Sequence, residues 1–174
     1  MLRTISGLLV LLSLSAAAGD APLISGNAVG KLHIGMPATA AAKIGNVTSD
    51  RLEPDSEGGQ ARVIRVLVAG KEVAAEVHEG RVWRIQVAQP GLRTSSGLGV
   101  GTTLAKLLEL KHVEVHVAGS SLYLVSAHIC GVSFRLSHEL QTDKDFMTKW
   151  SSSALEKLTA SVTVESILIT GCTK

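Results

Sequence analysis

Valine and polar residues alternate through KHVEVHVAGSS, residues 111–121, and this alternation supplies the first structural expectation. A strand sends successive side chains to opposite faces, so Val113, Val115 and Val117 fall on one side and His112, Glu114 and His116 on the other. A two-residue turn at Gly119-Ser120, glycine first as a type II′ turn prefers, returns the chain and sets those valines opposite Ser126, Leu124 and Leu122. The same pattern over residues 64–77 puts Ile64, Val66 and Val68 on one face with Val73, Ala75 and Val77 through a turn at Gly70-Lys71, with Arg65 opposite Glu76 on the other face. A three-residue loop, His78-Glu79-Gly80, with Gly80 left-handed, then adds Trp83, Ile85 and Val87 to the apolar side. Further strands are expected at residues 130–136 and 162–169.

Helical spacing is confined to short stretches. HIGMPATAAAKIG (33–45) aligns with GVGTTLAKLLELK (99–111), each an apolar-glycine entry followed by a helix. Pro37 suits the first helical position and Gly45 a left-handed residue after the last. In the second copy Thr102 is the expected N-cap and Leu104, Leu107 and Leu108 form the apolar stripe. Residues 46–60 read as a polar, turn-rich loop, and 141–158 as loop plus a short helix beginning at the serines. The expectation is one α+β domain over residues 19–174, made of two tandem helix-plus-antiparallel-strand repeats, about 28–90 and 96–174, with the helices packed on a sheet.

The start of the chain changes the picture of where this domain works. Residues 1–18 carry Arg3, an apolar run and Ala16-x-Ala18, the three parts of a cleavable secretory signal, and the run is too short to span a bilayer. Without a cysteine after the apolar run there is no site for lipid attachment, so no membrane anchor is expected and the location is the periplasm or outside the cell. Cys130 and Cys172, an even pair in an exported chain, are expected to form a disulfide. Charge is nearly balanced, at +2, and interspersed, which leaves no basic block to attract nucleic acid. Aromatic residues are 3% of the chain, too few for sugar- or base-stacking platforms.

Candidate chemistry is sparse. His112, Glu114 and His116 share a strand face, as ligands of a zinc ion would. The facing strand brings Tyr123, Val125 and Ala127 to that side and no further ligand, so the row reads as a solvated face, and neither metal nor cofactor is expected. No G-x-S-x-G elbow or S-x-x-K is present, the disulfide takes both thiols, and the acids Asp50, Glu53, Asp55 and Glu57 lie in the polar loop without apolar neighbours. No catalytic residue is assigned, and the chain is read as a non-enzyme. What remains is recognition: the tip Gly119-Ser120-Ser121, flanked by the His112, Glu114, His116 and Tyr123 face, is the expected partner-binding surface.

The tandem helix-then-meander plan, with the entries GKLHIGM and SGLGVGTT and one disulfide, resembles the β-lactamase-inhibitor-protein fold and, more distantly, the envelope lipoproteins of the SmpA/OmlA type. The acylated cysteine of the latter is absent, and the aromatic-rich binding surface of the former has no residue-by-residue match. The resemblance implies a scaffold for protein binding: a soluble inhibitor or immunity protein whose partner is another protein, such as an envelope-targeted hydrolase. An envelope assembly or ligand-binding module is the alternative.

Overall fold

The computed structural model describes residues 23–54, 59–141, 150, 152–158 and 161–172, so residues 1–18, expected to be a secretory signal, lie outside the described residues. Eight antiparallel strands form the main sheet in the order β4-β5-β6-β7-β12-β11-β10-β9. β4 (Val47–Pro54), β5 (Gln60–Val68), β6 (Lys71–His78) and β7 (Arg81–Val87) form one meander. β9 (Val113–Ala118), β10 (Ser121–Ser126), β11 (Val132–Glu139) and β12 (Val164–Ile169) form the other, and β7 pairs with β12 where the two meet. A small second sheet, order β3-β2-β1-β8, is built from β1 (Leu23–Ile24), β2 (Ala28–Val29), β3 (Leu32–His33) and β8 (Arg93–Thr94).

The period-2 pattern decides which face of the main sheet is buried. Ile64, Val66, Val73, Ala75, Ile85, Val87, Leu122, Leu124, Phe134, Ile167 and Ile169 all point to one side and join a single apolar cluster. That side is covered by Leu32, Met36, Ala38 and Ala41 from β3 and the first helix, by Leu92 and Leu98 around β8, and by Leu104, Leu107 and Leu155 from two further helical turns. Among the described residues no helix or second sheet covers the opposite face.

The expectation of an α+β domain built from two tandem helix-plus-antiparallel-strand repeats, with the helices packed on a sheet, is overturned. The helices α1 (Ala38–Ala41), α2 (Leu104–Leu108) and α3 (Ser152–Leu155) are 4, 5 and 4 residues long, and the chain is mostly β. Such turns are far below the length at which a helix is stable by itself, so they cap the core rather than form a helical layer. The polar stretch expected as a loop holds β4, an edge strand wet on both faces, which therefore shows no alternation to read. Gly45 is not left-handed; a Cβ there would lie 2.5 Å from the Leu67 carbonyl oxygen, so glycine permits the close approach of two chains. The cap of α2 is Thr103, whose hydroxyl accepts from the Lys106 N–H at 3.4 Å, while Thr102 Oγ1 accepts from Gly99 N–H.

Turn chemistry moves the register of the first meander by two residues. Ala69 and Gly70, both at positive φ (48° and 73°), form the β5–β6 turn, so Val68 pairs with Lys71 and Arg65 faces Ala74 rather than Glu76. A shift of two leaves every side chain on its expected face. At the next turn Glu79 and Gly80 take the two positive-φ positions, and the extra residue appears instead as a bulge at Trp83. Val82 fills the core position and Trp83 is exposed, contrary to its expected place on the apolar side. The β9–β10 hairpin has the expected register throughout, Ala118 opposite Ser121 and Val113 opposite Ser126.

Candidate functional site

The ladder registers order the open face into rows. One row runs Ala74, Gln86, Leu168, Ser133, Val125, Glu114 from β6 to β9; its neighbour runs Ser166, Arg135, Tyr123, His116. Glu76, Arg84 and Gln86 on one half line the same depression as His116, Tyr123, Ser120 and Arg135 on the other, with a volume of about 790 Å³. In a flat sheet β6 and β9 would stand about 24 Å apart at the ordinary strand spacing. Large sheets twist and coil rather than lie flat, and the depression that spans these strands makes the open face a trough.

The charges in the trough are paired. Arg84 donates two hydrogen bonds to Glu76, at 2.9 Å from Nε and 2.6 Å from Nη2, and its guanidinium lies 4.6 Å over the Trp83 ring. Arg135 donates from Nε to Ser121 Oγ at 3.0 Å and stands 3.4 Å from Glu165. Beyond Arg84, a smaller hollow of about 110 Å³ has Ala61, Val63 and Ala74 among its lining and the Arg65–Glu53 pair at its side. The Arg65 hydrogen bonds hold the Glu53 carboxyl below the usual carboxylate range, with a smaller contribution from Arg51, and Glu53 in turn raises Arg65. Among the described residues, none hydrogen-bonds the Gln86 amide or the Tyr123 hydroxyl.

Of the residues expected at the binding surface, the structure places most around the trough and one elsewhere. His116, Tyr123, Gly119, Ser120 and Ser121 all line the trough, and Glu114 lines an adjoining hollow with its carboxylate 3.5 Å from His116. His112 is not on this face: it precedes β9 at φ 51°, and its ring lies 5.5 Å from that of His128. The left-handed turn breaks the alternation one residue before the strand begins. Ser121 is buried beneath Arg135, so only Gly119 and Ser120 form the free tip. Among the described residues no group of three or more metal-ligating side chains is assembled.

Sequence reasoning missed Arg135, Gln86 and the Glu76–Arg84 pair. Extending the β9–β10 register one strand further would have found Arg135, because Tyr123 pairs with it directly. The other members depend on β7 meeting β12, a long-range contact with no local sequence signal. Cys130 and Cys172 are bonded, joining the β10–β11 connection to the segment after β12, and no free cysteine is present among the described residues.

An exposed sheet face over one buried core, stapled by a disulfide, defines a scaffold class rather than an activity. No family model matches the chain, and no curated protein matches it. Among solved structures it is similar to the uncharacterized protein YfeY from Escherichia coli, with a TM-score of 0.59, 17% identity, and coverage of 84% of this chain and 98% of that one. At that identity the likeness concerns the fold alone. Among the described residues no helix is long and apolar enough to cross a membrane.

Proposed function

We propose that this chain is an exported, non-catalytic protein-binding protein whose docking surface is the open trough of the eight-stranded sheet. The placement of the aromatic residues carries the reading. Phe134 is in the core and Trp150 packs against it, whereas Tyr123 lines the trough and the exposed Trp83 lies under the Arg84 guanidinium beside it. Tyrosine, tryptophan and arginine in a concave, partly desolvated surface are the usual anchors of protein interfaces. The polar groups along the floor supply specificity, and the carboxylates paired with the arginines leave no basic patch to attract nucleic acid. The docked element enters the trough, with Ser120 on its rim.

The narrower form of the proposal is that the partner is an envelope-acting hydrolase and that docking inhibits it. A pull-down from envelope extract with wild-type, Tyr123→Ala and Ser120→Arg proteins tests the docking surface. Specific capture is expected to fall at least about tenfold in both variants while thermal melting stays as in the wild type. Equal capture by all three would remove the trough from the interaction. Hydrolytic activity of the captured partner, with and without this protein, tests inhibition separately.

A further inference from the structure

The β4 edge is a second surface, on the opposite margin of the sheet from the β9–β10 tip. Of the large apolar side chains exposed among the described residues, Leu52 at 62% and Val47 at 41% are both on this strand. Edge strands are ordinarily guarded by bulges, prolines, charges or covering segments. In β4 the bulge lies between Val47 and Ser49 and the proline is the last residue, so along the regular ladder from Ser49 to Glu53, unpaired on one side among the described residues, the guard is charge alone: Asp50, Arg51 and Glu53. The edge at β9 differs, since α3 packs near it.

Charge and parity select the partner that fits this edge. Two copies joined by a twofold axis normal to the sheet pair antiparallel, and residues directly opposite must lie on the same face. Centring the axis on Ser49 or Arg51 sets two identical polar or charged residues against each other, and Asp50 at the centre opposes two carboxylates. With Leu52 at the axis, leucine meets leucine on one face and Arg51 faces Glu53 of the second copy on the other, twice. Arg51 is 68% exposed and bonds Glu53 of its own chain at 3.1 Å; in the pair it exchanges that contact for Glu53 of the second copy, whose carboxylate Arg65 of that copy also holds.

We infer that the protein self-associates edge to edge through β4, with Leu52 on the twofold axis, joining two eight-stranded sheets into one. A ladder this short is a small interface, so the dimer is weak and concentration-dependent. It leaves the trough free, and the inference stands apart from the docking reading.

Sedimentation equilibrium of the purified protein, from low to high micromolar, is expected to show a reversible monomer–dimer equilibrium. Leu52→Lys is expected to weaken it at least tenfold, because it places two ammonium groups on the axis. Leu52→Cys is expected to yield a disulfide-linked dimer on mild oxidation, whereas Val47→Cys, exposed on the same strand but far from its own copy in this register, is not. Leu52 is solvent-exposed, so both substitutions leave the fold intact, which the thermal melt verifies. A monomer at every concentration overturns the inference, as does a dimer that survives Leu52→Lys or cross-links equally well through Val47→Cys.

Discussion

Replacing Cys172 by serine isolates what the disulfide does. The bond closes a loop with a sequence separation of 42 residues that contains β11 and β12. On the chain-entropy relation such a loop restricts the unfolded ensemble by about 4 kcal/mol at 25 °C. That is a large part of the roughly 5–15 kcal/mol that holds a typical domain folded. The native side of the balance changes little, because other bonds hold the same junction. Cys172 N–H donates to Asn27 Oδ1 at 2.8 Å, and Thr170 N–H donates to the Gly131 carbonyl at 3.0 Å. Urea denaturation followed by far-UV circular dichroism measures the difference, with the Cys130→Ser/Cys172→Ser double variant removing any effect of a free thiol. With a slope of about 2 kcal/mol per molar urea, the midpoint is expected to fall by about 2 M. Wild type measured with reductant should coincide with the double variant. A loss below about 1 kcal/mol, or a wild type indifferent to reductant, would refute the view that the staple acts by constraining the unfolded chain.

Gly26→Ala should destabilise the fold markedly: a Cβ there would lie 2.0 Å from the Cys130 carbonyl oxygen and 2.7 Å from Cys172 Sγ, a collision with backbone that cannot move without opening the staple. Its melting temperature is the measurement, and a value equal to wild type would contradict the packing described. Acid should weaken the protein through Asp50 and Glu53, whose carboxyls are lowered chiefly by hydrogen bonds from Arg62 and Arg65 respectively. A depressed folded pKa contributes stability in full above the ordinary carboxylate value of about 4 and loses it as pH falls through the folded value, so stability should drop from about pH 4.5 downward. Glu53→Gln should make that drop shallower in urea titrations at successive pH values, and an unchanged slope would count against the Arg65–Glu53 pair. Zinc should be substoichiometric after mild dialysis, and His116→Ala should melt as the wild type does with or without added zinc; one equivalent of zinc lost in that variant would reverse the reading of the His116–Glu114 pair.

How much was legible in the sequence follows from the range of the interactions concerned. The β9–β10 register could be read exactly, because Gly119-Ser120 sits between two alternating runs and a hairpin is local. The β5–β6 faces survived a misplaced turn, because Ala69 took the left-handed position that glycine alone was expected to take, and the resulting shift was even. The cysteine pairing needed only that two residues were available in a chain read as exported. Local pattern thus determined the strands of the meanders other than β4, their buried faces except at Trp83, and the tip. Tertiary structure decided the rest. It made β4 a strand by giving its backbone a partner in β5, and it reduced the helices to single turns because the small sheet and loops complete the cover of the core. It moved Trp83 to the surface through a bulge that no alternation encodes. The trough itself exists only because β7 pairs with β12, Ile167 opposite Val87 and Ile169 opposite Ile85, nearly half the chain length apart, bringing Arg84 and Gln86 to the same floor as Tyr123 and Arg135. Period-2 patterning says which face a residue takes; only the closing of long-range ladders says which residues share it.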